Sequence, residues 1–515
     1  MKTRIWKGSL AGVLGLGVAY SGAAYWTGLE AERTLAKQHE MIVSLPIFKV
    51  KSHQYERGWF SSTETTELAF NERFFKPYLS ILPEAAKGAL SGTVKYVNHI
   101  QHGPLPDGRP ARAVVTTQFI MSDDTRKMLS RFFGDKEPIT VTNRLNFTGG
   151  GELNVSVPSF DYEETLAGVK IKWQGMTTKV GYDSGYTQYS VDARLPGMVL
   201  DAATKGHFEF ANLAYQSDNR PGETGAGVGN KELSVTRVKL ESKESIPYEI
   251  KLNQLISLLT RIRIGEFINP AGEIKPSQAD LVDLKYQIVS SEEKQFINTR
   301  ARFSFAKLEV NRVPYGPMRL DLSANHLHGP SLLKLEQAFA DIQVEGVEPA
   351  KLRQQYLDAI TQQGGPILEN DPRLVINDFS LKLPAGEITL TGNLALNGYK
   401  KGDLDNPRVF VNKLDAQAKL AMPRATLQDL VVAQARNLFM VDASAENPPS
   451  VQEIDELAKN LLASQLDVWS EQGYVKLDGG QVLTSAEWKN GQLKVNNHVV
   501  NLPPAPETVA ASKPQ

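Results

Sequence analysis

Apolar and polar residues alternate with a period of two along most of this chain. Residues 152–157 put Leu153, Val155 and Val157 on one side. Residues 169–173 put Val169, Ile171 and Trp173 on one side and Lys170 and Lys172 on the other. The alternation continues through Phe208 and Phe210, Leu233 and Val235, and then Met318, Leu320 and Leu322. It returns at Phe379, Leu381 and Leu383, at Ile388 and Leu390, at Leu394 and Leu396, and at Leu493 and Val495. Successive side chains of a strand point to opposite faces, so the pattern predicts half-buried β-strands. Between the runs stand Gly149-Gly150-Gly151, Asp183-Ser184-Gly185, Asn397-Gly398, Asp478-Gly479-Gly480 and Asn490-Gly491. Such turns join neighbouring strands antiparallel, which predicts meanders rather than a parallel sheet.

Helical spacing appears in a few places. Residues 29–37 continue an N-terminal helix. Residues 72–90 form another helix, broken at Pro77 or Pro83, and residues 122–133 form a third. Leu332, Leu335, Phe339 and Ile342 mark one helix, and Leu352, Tyr356 and Ile360 the next. Ser450 and Glu453 have capping-box spacing ahead of Leu457, Leu461 and Leu462. The expected fold class is α+β, mostly β: an N-terminal transmembrane helix, then long antiparallel meandering sheets with a few helical insertions.

One stretch fits neither pattern. Residues 10–26 carry no charge, and Lys2, Arg4 and Lys7 precede them, whereas Glu30 and Glu32 follow. A helix needs about 20 mostly apolar residues to cross a bilayer, and basic residues stay on the cytoplasmic side. The expectation is a single-pass anchor in a bacterial inner membrane, N-terminus in the cytoplasm and body in the periplasm. A cleaved signal peptide with its small-residue site at Ser21-Gly22-Ala23 is the competing reading. Gly8 and Gly12, with Gly15, Ala19 and Ala23, offer a helix-pairing face that suits a homodimer. The regions read as a cytoplasmic N-terminus (1–9), an anchor (10–27), a β-rich periplasmic region (28–268), a mixed β/α region (269–502) and a Pro-rich disordered tail (503–515). The stretch 216–230, rich in Gly and polar residues, is either a long hairpin loop or a junction, and residues 269–277 are a second weak joint.

Composition narrows the chemistry. The chain has 515 residues, a formal net charge of −1 and no cysteine. A near-neutral balance argues against nucleic acid as a partner. The absence of cysteine removes thiol catalysis and thiolate-held metals. Residues 222–229 are Gly-rich, but no Gly-Lys-[Ser/Thr] and no helix follow, so an ordinary loop is expected rather than a phosphate loop. Ser331 and Lys334 match Ser-x-x-Lys, and Ser217-Asp218-Asn219 a second acyl-enzyme motif, yet no Lys-Thr-Gly exists and the order is reversed. His99 and His102, or His326 and His328, lack a third ligand at close spacing. No catalytic residue, cofactor or metal is assigned.

Tyr55-Glu56-Arg57-Gly58-Trp59-Phe60-Ser61-Ser62 resembles the start of the exported region of the YdgA-like family, bacterial inner-membrane-associated proteins of undefined function. Gln101-His102-Gly103-Pro104-Leu105-Pro106, Tyr315-Gly316-Pro317 with Leu320, Leu322, His326 and Leu327, and the stretches 374–386 and 392–398 extend the resemblance over nearly the whole chain. The resemblance implies location and a β-rich body, and no activity. Tyr55, Arg57, Gly58, Trp59 and Phe60, with His102, Gly103 and Pro104, are the candidate ligand-binding or structural motif. As a strand, the first motif would carry aromatics on both faces, with Gly58 at a bulge or close backbone approach. The expected function is a non-enzymatic envelope protein that binds an apolar or lipidic ligand, or an envelope partner, on a curved sheet. A homo-oligomeric scaffold is the alternative, and an unrecognised envelope hydrolase the third reading.

Overall fold

The computed structural model describes residues 2–44, 47–71, 92–166, 168–203, 205–243, 278–344, 349–403, 406–439 and 450–501. The helix expected at 72–90, the joint at 269–277 with its boundary at 268/269, and the tail lie outside the described residues. So do the side chains of residues 1–17, and with them the first half of the expected anchor and Gly8, Gly12 and Gly15 of its pairing face. Among the described residues no helix is long and apolar enough to cross a membrane.

Among the described residues strands predominate, at 53 %, and they pair antiparallel, so the mostly-β, sequential-hairpin expectation holds. The chain divides into two compact units. The first comprises residues 1–297, 304–313 and 329–364, and the second 298–303, 314–328 and 365–515.

The first unit begins with α1 (Lys2–Ser44), β1 (Phe48–Arg57), β2 (Ser61–Phe70), β3 (Thr93–His102) and β4 (Ala113–Ile120). After α2 (Asp123–Phe133) come β5 (Thr140–Leu145), β6 (Gly151–Val157), β7 (Phe160–Glu164), β8 (Val169–Trp173) and β9 (Met176–Tyr182). The longest strands follow: β10 (Tyr189–Ala202), β11 (Gly206–Pro221), β12 (Gly227–Ser242) and β13 (Gln278–Glu293). β1 to β6 pair in sequence, and β9 then joins β6 to β10. Because β10 is long, β9 pairs with its first half and β8 with its second. The run closes through β11, β12 and β13.

β14 (Phe296–Phe305), β15 (Lys307–Val310), β16 (Val313–Tyr315) and β17 (Met318–His328) precede the helices α3 (Gly329–Val344) and α4 (Pro349–Leu368). Then come β18 (Arg373–Leu383), β19 (Gly386–Leu396), α5 (Pro407–Asn412), β20 (Leu414–Pro423), α6 (Arg424–Phe439) and α7 (Val451–Glu471). The chain ends in β21 (Lys476–Asp478), β22 (Gln481–Lys489), β23 (Gln492–Val495) and β24 (His498–Val500). In the second unit β17, β18, β19, β20, β22, β23 and β24 pair in that order, with β21 beside β22.

Several expectations change in detail. The stretch 216–230 is neither a long loop nor a junction. β11 and β12 run straight through it, Pro221 opposite Gly227, and Gly222 N donates to Ala226 O across the turn (2.8 Å). Polar side chains there sit in a ladder flanked on both sides by further strands, and backbone pairing needs no apolar residue. Asn397-Gly398 makes no hairpin; it leads through α5 to β20, and Gly398 N donates to Asp371. The α7 capping box forms as expected, with Glu453 N donating to Ser450 Oγ at 3.2 Å. The buried stripe of α7 is Ile454, Ala458, Leu462 and Leu466, however, so Leu457 and Leu461 face outward at 51 % and 61 % exposure. Among the described residues of α4, Tyr356, Ala359 and Gly364 are buried, while Ile360 faces solvent.

Candidate functional site

The inward positions of β2 are Ser62, Glu64, Thr66 and Leu68, and all four are buried. Three of them are polar, so the floor this strand offers is built for hydrogen bonds. α1 lies on that floor. Its Ala31 and Leu35 pack with Ile100, Ala113, Val115 and Leu145, and Tyr55 and Tyr182 flank the cluster. Around this small apolar centre the contacts are polar. Arg112, 8 % exposed, donates to Thr34 Oγ1 (2.9 Å) and to Phe147 O (2.6 Å). Tyr182 Oη donates to Asn143 Oδ1 (2.6 Å) and accepts from Gln38 Nε2 (2.8 Å).

The candidate motif residues converge on the same helix. Tyr55 and Arg57 end β1, and residues 58–60 form the turn into β2, so the motif is a hairpin and not a single strand. Gly58 makes the expected close approach: a Cβ there would stand 2.5 Å from Ser61 O. Arg57 Nη1 donates to Glu32 (3.0 Å), and its guanidinium lies 5.2 Å from the centre of the Tyr25 ring. The Trp59 indole packs 5.1 Å from Tyr25 and donates to Ser21 O (3.2 Å). Phe60, half exposed, accepts the His102 backbone N–H through its carbonyl (3.0 Å).

His102 is 4 % exposed and bridges helix and sheet. Its Nδ1 lies 3.1 Å from Ala24 O and its Nε2 3.1 Å from Ser62 Oγ. A carbonyl only accepts, so Nδ1 carries the proton and Nε2 accepts from the serine hydroxyl. Burial pushes its pKa below the ordinary 6.5, in keeping with a neutral ring. The ring lies flat against Gly28 of α1, where a Cβ would come within 2.6 Å of Cε1. Gly103, in left-handed backbone, approaches Tyr20 and Ala24, and Pro104 starts the loop that returns at Arg112. The motif is thus a clamp on residues 20–32 of α1. Beyond the clamp a pocket of about 500 Å³ remains, lined by Leu35, Met41 and Ile42 of the helix and by Tyr96, Phe119 and Tyr189 of the sheet.

The second unit carries a different surface. Residues directly opposite one another in adjacent strands share a face. One row across the sheet reads Leu322, Ile376, Gly392, Ala418, Ala486 and Val495. The next reads Ala324, Leu374, Leu394, Ala416, Trp488 and Leu493. Every position in both rows is apolar or glycine. All of them except Val495 line a groove of about 690 Å³. Leu374, Leu394 and Leu322 are 52 %, 40 % and 37 % exposed, so the face is bare. The Trp488 indole N–H donates to Val411 O (2.8 Å), which fixes the ring at the groove wall. The polar-rimmed cavity beside α7, of about 720 Å³ and lined by Thr389, Lys419 and Ser470, has no such continuity.

A family model of bacterial proteins of unknown function, DUF945, matches residues 6–503. The chain belongs to DUF945. No curated protein and no solved structure matches it. Membership in DUF945 makes the bacterial assignment firm and supplies no activity.

The remaining sequence candidates of this DUF945 chain do not assemble into sites. His99 contacts Gln118 Oε1 (3.1 Å), while His102, three residues on along the strand, is turned to α1. His326 sits in left-handed backbone (φ 59°), which breaks the shared face expected with His328, and its Nδ1 donates to Asn370 O (2.6 Å). Of the loop expected over residues 222–229, only 222–226 form a turn, and 227–229 belong to β12. Sequence reasoning missed His39, His53 and Glu64, which three elements bring together in the first unit. It also missed Arg112. Glu64 carried no signal of its inward position, because the inward positions of β2 are polar until Leu68.

Proposed function

We propose that the protein binds an apolar, lipid-like ligand in the groove of its second unit and acts by binding, without catalysis. The observation that carries this reading is the pair of apolar rows across six strands, open to solvent. Exposed apolar patches of this continuity mark binding surfaces, and the groove volume falls within the range of about 300–1,000 Å³ usual for ligand sites. Burying acyl methylenes stabilises a complex by about 0.8 kcal/mol each. A chain of a dozen therefore offsets an association penalty on the order of 10 kcal/mol.

Attachment to the bacterial inner membrane through the N-terminal helix, body outside, belongs to the same proposal. Its support is the basic head Lys2, Arg4 and Lys7 before an uncharged apolar stretch. Its limit is the clamp, which engages α1 from Ser21 onward. Residues 10–20 rise roughly 16 Å as a helix, about half a hydrocarbon core. A full crossing requires α1 to leave its sheet as far as Trp26.

Organic extraction of the purified full chain, followed by mass spectrometry, tests the ligand. The expected result is a co-purifying lipid or fatty acid that Leu394→Asp abolishes while the fold persists by circular dichroism. A blank extract from folded protein, or an unchanged load in the variant, contradicts the proposal. So does a stable dimer that buries this face.

A further inference from the structure

We propose that His39, His53 and Glu64 form a binding site for a divalent transition-metal ion of the zinc class, which pins α1 to β1 and β2. The three residues come from three elements of the first unit, and their ligand atoms all lie within 4.8 Å of one another. The two imidazoles already stack, with ring centres 3.6 Å apart and planes at 21°. His53 Nε2 faces Glu64 Oε1 at 3.8 Å. Tetrahedral zinc holds nitrogen and oxygen donors at about 2.0–2.2 Å, hence roughly 3.4 Å from one another. Side-chain rotations that close the cluster by about 1 Å complete the set.

The supporting contacts are those a metal site uses. Glu64 Oε2 accepts from Asn98 Nδ2 (2.7 Å), which leaves Oε1 turned to the cluster. His53 Nδ1 meets Thr66 Oγ1 (3.1 Å), which leaves Nε2 as donor atom. Outer partners of this kind orient metal ligands and fix tautomers. His39 Nδ1 is buried and has no hydrogen-bond partner, an arrangement that is expensive unless something coordinates it. Two imidazoles and one carboxylate suit zinc, cobalt or iron(II), and they leave one position for water. Asn98 also lines the apolar pocket of the first unit, so metal occupancy bears on that pocket's wall.

The test uses the full chain, stripped of metal by a chelator and titrated with zinc chloride in a calorimeter. Cobalt(II) absorption serves as a second readout of coordination. One ion per chain is expected, with affinity at least about tenfold weaker in His39→Ala and in His53→Ala, and ligand-field bands from cobalt only in the parent chain. His53 is partly open to solvent, so its variant is the one least prone to unfold, and circular dichroism checks each. Absence of zinc binding by the folded parent overturns the proposal. Binding that persists unchanged in both histidine variants also overturns it.

Discussion

The floor beneath α1 in the first unit and the bare rows of the second unit invert the usual relation between polarity and exposure. Under the helix, where water is excluded, the sheet presents Ser62, Glu64, Thr66, His102 and Asn143, and the loop into β4 presents Arg112, each buried. In the open, it presents Leu322, Leu374, Leu394 and Trp488. The covered floor is held by directional bonds: Arg112 to Thr34, His102 to Ala24, Gln38 to Tyr182. Each contributes about 1 kcal/mol net and fixes the helix in one register. The bare face has nothing directional to offer and gains free energy only when an apolar body covers it. The α7 dock supplies a control. There Leu462 and Leu466 pack on Val482, Met422 and Leu477, the ordinary apolar arrangement. A polar floor is therefore a local property of the α1 site, and an apolar bare face is not what solvent alone would select.

The comparison can be broken at several points. The largest effect is expected at Arg112. Arg112→Met leaves Phe147 O and Thr34 Oγ1 without their donor in a buried place, with an expected loss of about 1–3 kcal/mol in urea unfolding. Gly28→Ala comes next. Helix propensity favours alanine by about 1 kcal/mol. Here its Cβ would meet the buried His102 ring, so we expect a net loss of about 1–2 kcal/mol, opposite in sign to the propensity. A stabilised Gly28→Ala variant would show that α1 does not sit on His102.

Acid has a smaller, signed effect. The folded-state pKa of His102 lies below 6.5, so the folded protein binds fewer protons than the unfolded chain as pH falls below that value. Its contribution is full above pH 6.5 and declines below it. His39 and His53 act in the same direction, and Glu64, whose carboxyl is pushed up, acts against them. Unfolding midpoints from pH 7.5 to 5.5 should fall in the parent and fall less in His102→Gln. The smallest stability effect is expected on the bare face, where Leu374→Ser should change unfolding free energy by no more than about 0.5 kcal/mol yet weaken binding of an apolar probe. A large stability loss there would mean that the face is core and not a binding surface.

How legible each region was in the sequence follows from the same contrast. The strands of the second unit were readable because Leu320 and Leu322, Phe379 and Leu381, and Leu390 and Leu394 alternate apolar with polar. The bare rows were not, since Ala416, Ala418 and Ala486 carry weak signals and only the register aligns them with Leu374 and Trp488. The α1 dock was hidden because β2 buries Ser62, Glu64 and Thr66, so period-two logic finds no apolar inside face. Residues 55–62 and 101–104 stood out by resemblance, but their common target, residues 20–32 of α1, is a contact between distant segments. For the outward Leu457 and Leu461, the helical stripe was right in kind and one position off in phase, because α7 buries the Ile454, Ala458, Leu462 and Leu466 row instead.

Trp488 allows the central claim to be tested at the groove itself. The chain has six tryptophans, and among the described side chains Trp488 is the one that lines the apolar rows. Quenching by a brominated fatty acid should be saturable in the full chain. It should lose most of its amplitude in Trp488→Phe while Leu394→Asp abolishes binding. Quenching of equal amplitude in Trp488→Phe, or none in the folded parent, would contradict ligand binding at this face.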